Sequence, residues 1–416
     1  MKKLKNILIL LIISVSFFGC FNYNNISNEN MVFLYKKDSP LLSLETKLCH
    51  ENDSFSTLFL RFDNQELLYK KPENKDFFQA AWNFEIMIFD AFDTKKLVDS
   101  LTFSFVDSIS NGEVEIKTHS LQIPIPSGRK YMMSVSMTDV YRKQDTRKVF
   151  QVDKENKNAE PYFRLINEKN YLEMDNIVEE DEKYRIAYYG YADSIYVFYF
   201  NKQFPIAKPP FSVEEDDAVL LKRDSSFILS IEDGKTDYFQ LRKTGFYFFR
   251  TDTTQNKGFT AFVFYPNFPN VVLPEHMLFP TRYVMTAKEF KPILMSSDKK
   301  AAVENFWIEQ SGSKERARKM ISEYYNSVVQ ANRFFTSYHE GWKTDRGMAF
   351  IVMGTPNIVY KTINFEKWVY GEEHNMMSVT LTFTHVQNPY TNNDFRLNRV
   401  VTYKEIWYRS VDTWRR

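Results

Sequence analysis

The sequence predicts a multidomain protein that is mainly β, with two antiparallel β-sandwich modules of the Ig-like type, then a helical segment and a terminal α+β domain. Three observations predict this order. Apolar residues alternate with a period of two between about residues 55 and 152, and again within 160–268. Four prolines then interrupt this pattern, at Pro266, Pro269, Pro274 and Pro280. Beyond them the apolar period lengthens to that of helices.

The first sandwich is expected at residues 33–153. Leu58 and Leu60 alternate with polar or outward positions, as Phe84, Ile86 and Ile88 do further along. The segment 123–128 contains two prolines, Pro124 and Pro126, which cannot donate to a strand ladder. We therefore expect that segment at the edge of a sheet.

The second sandwich is expected at residues 160–268, after a polar stretch at 154–158 that suits an exposed linker. Both modules contain a glycine followed closely by a tyrosine, an alternating run and then an aspartate. In the first module these residues are Gly128, Tyr131 and Asp139, and in the second they are Gly245, Tyr247 and Asp252. The spacing indicates a loose internal similarity between the two modules.

Two helices are expected after the prolines. Asp298 can cap a helix that ends near Glu309, and Ser313 can cap a longer one. The longer helix has an apolar stripe at spacings of three and four, formed by Ala317, Met320, Ile321, Tyr324, Val328, Ala331 and Phe335. We expect this stripe to pack on its own domain; a groove for a partner or cofactor is the alternative.

The first twenty residues have the pattern of an export signal. Three lysines precede an apolar run that is too short to span a bilayer, and the run ends at Gly19 and Cys20. The sequence Phe17-Phe18-Gly19-Cys20 resembles the lipobox of bacterial lipoproteins. We therefore expect a signal peptide at 1–19, lipid attachment at Cys20 and a flexible Asn-rich tether at 20–32. An ordinary signal peptide with a chance cysteine is the alternative.

The resemblance to lipoproteins implies an address in the cell envelope. No aspartate follows Cys20, which by lipoprotein sorting rules favours the outer membrane, and the tether lacks the acidic cluster of many surface-exposed lipoproteins. We therefore expect the protein to be lipid-anchored at the outer membrane and to face the periplasm. Membrane contact is then expected through the N-terminal lipid.

Composition constrains both the partners and the source of stability. The formal charge of +1 includes three lysines in residues 1–19, so the remaining side chains sum to −2. Such a balance gives no global field to recruit nucleic acid. Cys49 is the second of only two cysteines, so no disulfide is expected within the mature chain. Apolar cores rich in the 38 Phe, 25 Tyr and 6 Trp must supply the stability.

The segment Gly341-Trp342-Lys343-Thr344-Asp345-Arg346-Gly347 follows the longer helix directly. Gly341 can take the left-handed conformation that ends a helix, and Gly347 can let the chain pass closely into the apolar run 348–353. That run is expected to be a strand. Trp342 has the size to fix the corner between helix and sheet. The expected unit is therefore helix, corner, strand and turn.

The same segment contains residues that could perform chemistry. Thr344, Asp345 and Arg346 are a hydroxyl, a carboxylate and a cation, the groups used in acid–base and phosphoryl-transfer sites. The structural alternative is favoured, because Thr344 or Asp345 can accept backbone N–H groups in a tight turn. Arg346 can pair with Asp345 or with a more distant carboxylate.

Further signatures of catalysis or metal binding are weak in this sequence. It has no His-Glu-x-x-His helix, Gly-x-Ser-x-Gly elbow or phosphate-binding Gly-Lys-Ser/Thr loop. Glu372, Glu373, His374 and His385 come nearest to a metal set, but their spacing fits no standard site and a solvated loop is favoured. We therefore predict no catalytic residue, metal or cofactor.

The segment 341–347 and its surroundings resemble the GWxTD domain of envelope proteins from Bacteroidota and some other bacteria. The residues that carry the resemblance are Phe306-Trp307, Tyr324-Tyr325, Ala331-Asn332, Phe335, Gly341, Trp342, Thr344, Asp345, Arg346, Gly347, Gly354-Thr355-Pro356-Asn357 and Trp368-Val369-Tyr370. It covers roughly residues 280–416, with Met348 and Thr355 departing from the commonest form. The resemblance implies an envelope protein and implies no particular reaction.

Two hypotheses for function follow from these observations. The favoured one is a non-catalytic envelope lipoprotein that scaffolds or contacts a membrane-associated assembly, with other envelope proteins as partners and no nucleic acid. The alternative is an enzyme or small-ligand receptor with its site around Asp345 and Arg346. The C-terminal aromatics Trp407, Tyr408 and Trp414 are expected to dock on their own domain, with partner or membrane contact as the alternative. The oligomeric state stays open.

Overall fold

The computed structural model describes residues 30–36, 43–93, 96–109, 115–201, 203–213, 221–373, 375 and 377–415. Cys20, the signal peptide and His374 lie outside these residues. The described chain is mainly β, with three antiparallel sheets followed by a terminal region of helices and a fourth sheet. Among the described helices, none combines the length and apolar character needed to cross a membrane.

The first β unit consists of two sheets that share one core. Its strands are β1 (Glu45–His50), β2 (Phe55–Asp63), β3 (Phe78–Asp90), β4 (Leu97–Ile109), β5 (Ile116–Pro124), β6 (Lys130–Asp139) and β7 (Gln144–Asp153). One sheet has the order β1-β2-β5 and the other β4-β3-β6-β7. The alternation predicted from sequence is confirmed, since Leu58, Leu60, Phe84 and Ile86 are fully buried between the two sheets.

Strand β5 lies at the edge of the three-stranded sheet, as its prolines predict. Pro124 pairs with Phe55 at the end of the ladder. A proline can occupy this place because no further strand requires its missing donor. The hydroxyl of Tyr131 then donates to the carbonyl of Pro126 at 2.7 Å and fixes the entry into β6.

The second β unit is one continuous sheet of seven strands. They are β8 (Phe163–Asn167), β9 (Tyr184–Tyr188), β10 (Ser194–Phe200), β11 (Ser225–Glu232), β12 (Lys235–Thr236), β13 (Gly245–Arg250) and β14 (Phe259–Val263). The order is β14-β13-β10-β11-β12-β9-β8. The sheet is continuous because β11 pairs with β10 along most of its length and with β12 at its end. It curls until Phe163 of β8 stacks on Phe259 of β14, 6.1 Å between ring centroids.

The internal similarity noted in the sequence extends to local structure. Gly128 and Gly245 both have a positive φ, +89° and +137°. The hydroxyl of Tyr247 donates to the carbonyl of Lys243 at 3.2 Å, as that of Tyr131 does to a residue shortly before it. Each glycine precedes a hairpin, β6–β7 or β13–β14. In both units a tyrosine side chain therefore closes the turn that leads into the hairpin.

The stretch 154–158 begins inside the protein, which corrects the expectation of an exposed linker at Lys154, whereas Glu155 and Lys157 are exposed as expected. Lys154 is 1% exposed. Its Nζ donates to the carbonyl of Phe55 and to Oγ of Ser56, both at 2.9 Å. His50 Nδ1 lies 2.8 Å from the same Oγ. The linker is therefore attached to the first β unit through a buried ammonium group, whose cost of burial these hydrogen bonds offset.

The C-terminal region combines helices with a four-stranded sheet. The helices are α1 (Pro274–Leu278), α2 (Ala287–Met295), α3 (Lys299–Ser311), α4 (Lys314–Phe335), α5 (Asp345–Met353) and α6 (Lys404–Thr413). The strands β15 (Ile358–Lys361), β16 (Phe365–Tyr370), β17 (Val379–His385) and β18 (Phe395–Leu397) lie in sequence order. Both predicted caps are confirmed: Asp298 accepts from the N–H of Ala301, and Ser313 from that of Arg316.

The apolar stripe of α4 packs on its own domain, as predicted. Ala317, Tyr324, Val328, Ala331 and Phe335 are all buried in the core of the C-terminal region. Two of the three C-terminal aromatics dock there as well, whereas Tyr408 is 50% exposed. Trp407 is buried, and Trp414 Nε1 donates to the carbonyl of Val352 at 3.0 Å.

The β13–β14 hairpin contributes to two cores at once. One face supplies Tyr247 and Phe249 to the second β unit. The other face, with Phe246 and Phe248, packs on Tyr390 of the C-terminal region at ring distances of 5.1 Å each. Because both faces of the hairpin are covered, its sequence is apolar at consecutive positions. The hairpin therefore joins the second β unit to the C-terminal region.

The start of the described chain belongs to the C-terminal core. The 3₁₀ turn Val32–Tyr35 follows Met31, and both Met31 and Tyr35 are buried among C-terminal residues. The sequence placed the tether at 20–32 and the start of the first sandwich at 33, so the contacts of this segment differ from that expectation. Its hydrogen-bond partners in the C-terminal region lie more than 300 residues away, a separation at which local sequence patterns carry no signal.

Candidate functional site

The segment 341–347, called here the box, connects α4 to α5 through a 3₁₀ turn at Gly341–Lys343. A Cβ on Gly341 would meet the carbonyl oxygen of Ala331 at 2.1 Å. One on Gly347 would meet the carbonyl oxygen of Gly341 at 1.9 Å. Gly341 does not have the left-handed conformation expected from sequence. Both glycines are instead required because backbone passes directly over them.

The apolar run 348–353 is a helix, so the expectation of a strand is wrong. Thr344 caps α5: its Oγ1 accepts from the N–H of Gly347 at 2.9 Å and donates to the carbonyl of Gly341 at 2.7 Å. Residues Met348, Phe350 and Ile351 of α5 are fully buried. A helix covered on all sides is apolar on all sides, and a short run of this kind has no period that distinguishes it from a buried strand.

Trp342 fixes the corner, as the sequence predicts, although the corner lies between two helices. Its backbone N–H donates to Oδ1 of Asn332 in α4 at 3.1 Å. Its carbonyl accepts from the hydroxyl of Tyr283 at 2.9 Å, and the two rings lie edge to face. The carbonyl of the next residue, Lys343, accepts from the N–H of Ala207. The box is thus bonded to three separate segments of the chain.

Asp345 is held by residues near the end of the sheet. Its Oδ2 accepts from the backbone N–H of Leu397 at 2.7 Å, and its Oδ1 accepts from the guanidinium of Arg399. It also lies in the first turn of α5, where the helix dipole favours a negative charge. These contacts occupy both carboxylate oxygens of a side chain that is 8% exposed.

Arg346 points to a different partner and is 1% exposed. Its Nη1 donates to Oε1 of Glu366 at 2.8 Å, and its Nη2 donates to the carbonyl of Asn393 at 2.9 Å. The guanidinium also lies over the ring of Phe395, 4.2 Å from the centroid. The sequence left open whether Arg346 pairs with Asp345 or with a more distant carboxylate. In the structure it pairs with the distant one, that of Glu366.

Glu366 is the centre of a buried polar network. Besides Arg346, it accepts from Nζ of Lys361 at 2.7 Å, the hydroxyl of Tyr35 at 2.9 Å and Nε1 of Trp368 at 3.2 Å. Burial alone would raise the pKa of Glu366, but Lys361, Arg346 and the hydrogen bonds outweigh it and lower the pKa to about 2. Burial, followed by the charge of Glu366, raises the pKa of Tyr35. The network is therefore ionic at Glu366 and neutral at Tyr35.

Sequence reasoning missed Glu366, Arg399, Asn393 and Tyr35 as partners of the box. Only Glu366 had a usable signal. It lies on β16 two residues before Trp368, so a strand of period two places both on the same face. A carboxylate on the apolar face of a strand indicates a buried cation opposite, because burial of an unpaired charge is very costly.

The arrangement explains what the box can do chemically. Asp345 and Arg346 are consecutive on a helix and diverge to separate partners, so they form no joint acid–base pair. The carboxylate oxygens of Asp345 and both Nη atoms of Arg346 are engaged in hydrogen bonds and ion pairs in the interior, whereas Nε of Arg346 is buried without a hydrogen-bond partner among the described residues. Glu373, from the weak metal set, accepts from the hydroxyl of Tyr360. Among the described residues, no three His, Cys, Asp or Glu side chains are grouped to hold a metal ion.

A cavity of about 1170 Å³ lies where the two β units and the C-terminal region meet. Its walls include Lys47 and Arg147 from the first unit, Lys257 from the second, and Lys361 and His385 from the C-terminal region. Asp345 and Arg346 are not among the lining residues. The box therefore supports one wall of the cavity from behind without opening into it.

These features define a multi-module protein in which a terminal α+β domain is assembled around a buried Thr-Asp-Arg corner. Residues 245–416 match the GWxTD domain family, so this part of the chain is a GWxTD domain. The match begins at β13, earlier than the expected start near residue 280. The hairpin packing accounts for the difference, since β13 and β14 place one face on the C-terminal region.

Comparisons with other proteins add little beyond the family. No curated protein matches the sequence. Solved structures with local similarity include a calcium-binding mutant of Bacteroides uniformis beta-glucuronidase 2 (12% identity, 26% of this chain and 13% of that chain, TM-score 0.18). A glycosyl hydrolase family 2 member from Bacteroides cellulosilyticus is 10% identical over 34% and 19% of the two chains, TM-score 0.20. Red sea bream transglutaminase is 8% identical over 54% and 32%, TM-score 0.18.

The chain spans 13%, 19% and 32% of the lengths of these three proteins. At such TM-scores the similarity carries no argument about fold or activity.

Proposed function

We propose that the protein is a lipid-anchored component of the bacterial cell envelope, attached through Cys20 to the outer membrane and facing the periplasm. There it serves as a non-catalytic scaffold or interaction component of a membrane-associated assembly, with Ig-like β modules joined to the GWxTD domain. The basic and apolar N-terminal segment that ends at Cys20 supports the address. The GWxTD domain is in keeping with an envelope protein.

One observation carries the non-catalytic part of this proposal. The residues of the box with catalytic potential, Asp345 and Arg346, are both buried and bonded to Leu397, Arg399 and Glu366. A catalytic group must reach a substrate, or a water that acts on it, within hydrogen-bond distance. Side chains whose polar atoms are engaged in the interior instead hold elements together, here α5 with β16 and β18.

The test is capture of partners from intact cells. Cells that carry the tagged protein are crosslinked, and the protein is purified with its attached neighbours. We expect defined envelope proteins in the wild-type sample and their loss in Cys20→Ser, which would remove the anchor. Recovery of an uncomplexed monomer from crosslinked wild-type cells would contradict the scaffold role.

Asp345→Ala separates the structural and the catalytic interpretations of the box. We expect this variant to lose folding of the C-terminal region, because the N–H of Leu397 loses its acceptor and the largely buried guanidinium of Arg399 loses its carboxylate. A variant that folds normally but loses an activity or a ligand would favour the alternative, an enzyme or receptor with its site around Asp345 and Arg346. Melting curves monitored by tryptophan fluorescence distinguish these outcomes.

The cavity between the modules favours a second candidate function, a small-ligand receptor with its site away from the box. Its volume of about 1170 Å³ is ample for a small molecule. Native mass spectrometry of protein purified from its own membranes tests this candidate. A retained small molecule that is lost in Val149→Trp, a change on the cavity wall, would support it. Identical spectra for the two proteins would argue against it.

A further inference from the structure

The outer edge of β15 is covered by the start of the described chain. β15 is the end strand of its sheet, so one row of its backbone groups has no neighbouring strand. Asn30 and Met31 supply partners: the N–H of Val359 donates to Oδ1 of Asn30 at 3.0 Å, and the N–H of Met31 donates to the carbonyl of Val359 at 2.8 Å. Nδ2 of Asn30 donates to the carbonyl of Asn357 at 3.1 Å. Short peptides are recognised at sheet edges by contacts of this type.

Tyr35, five residues after Asn30, enters an aromatic pocket of the GWxTD domain and is 4% exposed. Its ring centroid lies 5.0 Å from that of Phe335, 5.4 Å from Trp368 and 5.6 Å from Phe334. Its hydroxyl reaches the carboxylate of Glu366 at the bottom of the pocket. A buried tyrosine with an apolar ring contact and a hydrogen bond to a charged group is a typical anchor of a peptide interface.

The pocket and its occupant come from distant parts of the chain. Every pocket residue named lies within residues 245–416, whereas Asn30 and Tyr35 lie outside that range. Glu366 also has partners that do not depend on Tyr35, namely Arg346, Lys361 and Trp368. The carboxylate is thus positioned by the GWxTD domain itself. The domain supplies a formed site, and the N-terminal segment fills it.

We propose that the GWxTD domain contains a docking site for a short peptide segment, occupied in cis by Asn30–Tyr35. The site recognises an asparagine at the β15 edge and a tyrosine five residues later at Glu366. Docking joins the N-terminal anchor to the GWxTD domain. Phe33 of the same segment, 5.6 Å from the guanidinium of Arg147, adds a contact to β7.

The consequence for the membrane rests on the lipid anchor proposed above, whereas the docking does not. Cys20 precedes Asn30 by ten residues, which can span at most about 35 Å. A lipid at Cys20 would therefore keep the β15 edge of the GWxTD domain within that distance of the bilayer. The two β units would extend from this attached domain towards other partners.

A cleavage experiment on the purified mature chain tests the docking alone. The chain carries Cys20→Ser, so that lipid plays no part, and a specific protease site inserted between Lys36 and Ser43. After cleavage, we expect the N-terminal fragment to stay with the remainder through native gel filtration. Tyr35→Phe removes one hydrogen bond to a charged group and is expected to speed release roughly tenfold or more. Tyr35→Ala is expected to release the fragment at once.

The matched control is Tyr338→Phe, which removes a tyrosine–carboxylate bond, to Asp394, in the same domain but away from β15, and is expected to leave release unchanged. Immediate loss of the wild-type fragment, or equal retention with Tyr35→Ala, would overturn the docking site. If the cleaved fragment were bound to a second copy of the protein, the segment would exchange between chains, which also contradicts occupation in cis.

A second arm with the lipidated protein separates the docking from the anchor. When cleaved on membranes, the wild-type remainder is expected to stay bound, and the Tyr35→Ala remainder is expected to enter the soluble fraction. Release of the wild-type remainder as well would contradict the link between the anchor and the GWxTD domain. A wild-type chain that is soluble before cleavage would contradict the lipid anchor, and the first arm would still decide the docking site.

Discussion

Removing the charge of Arg346 should destabilise the GWxTD domain, and removing that of Glu366 should destabilise it more. Loss of one partner of a buried ion pair costs about 3–5 kcal/mol. In Arg346→Met, Glu366 keeps the ammonium of Lys361 at 2.7 Å, so we expect a loss of stability of about 3 kcal/mol. In Glu366→Gln, the guanidinium of Arg346 stays buried, at 1% exposure, without its carboxylate partner, so we expect a loss of stability of about 5 kcal/mol.

The double variant measures the interaction between the two side chains. With Arg346→Met and Glu366→Gln combined, neither of these two side chains leaves an unpaired charge, although Lys361, whose side chain is 25% exposed, still loses the carboxylate of Glu366. We expect the loss of stability to be smaller than the sum of the single losses by about 2 kcal/mol or more. Arg409→Met is the control, because Arg409 is exposed and its ion pair with Glu405 lies on the helix surface. Its effect should stay below about 0.5 kcal/mol.

Urea unfolding followed by tryptophan fluorescence is the appropriate assay. Five of the six tryptophans lie in the C-terminal region and the sixth is Trp82, so the signal reports mainly on the GWxTD domain. Additive single effects, or a loss below about 1 kcal/mol for Arg346→Met, would refute the proposed role of the ion pair in stability. An Arg346→Met effect larger than that of Glu366→Gln would refute the compensation by Lys361.

Three further predictions concern the box and the first β unit. Thr344→Ala should lower the free energy of unfolding by about 1–2 kcal/mol. Thr344→Ser should keep most of the wild-type stability, since a serine hydroxyl can cap α5 equally well. Equal melting temperatures of the two variants would contradict the cap. Gly347→Ala should cost at least about 3 kcal/mol, because its Cβ would meet a backbone carbonyl, and normal urea unfolding would contradict that clash. Burial, followed by the charge of Lys154, lowers the pKa of His50 to about 4 against 6.5 for the free side chain. The unfolded state therefore binds the proton first, and stability present above pH 6.5 should fall as the pH drops towards 4. Hydrogen exchange in β1 and β2 measures this loss, and His50→Gln should lack it.

Local sequence patterns determined much of the fold, because its elements follow periodicity and capping. The alternation at Leu58 and Leu60 predicted buried strand positions, and Asp298 and Ser313 marked helix starts that the structure has. These features depend on neighbours within a few residues. The local sequence is therefore enough to predict these features.

The errors arose where a residue's environment is set by distant parts of the chain. The run 348–353 is apolar on every side because α4, β18 and α6 cover α5, so its sequence has no period. Lys154 lies in a polar stretch with the composition of a linker, but its ammonium group donates to Phe55 and Ser56 of β2. Tyr35 meets Glu366 across 331 residues. Neither of these two contacts leaves a local pattern.

The box is recognisable in the sequence, but the role of its side chains follows from where they point. Successive residues on a helix lie about 100° apart, so Asp345 faces the end of the sheet while Arg346 faces Glu366. Each then joins α5 to a different strand. A carboxylate and a guanidinium that are adjacent in sequence thereby act as two separate ties within the domain. Because the second tie ends on the carboxylate that also binds Tyr35, the box supports the surface on which the N-terminal segment is held.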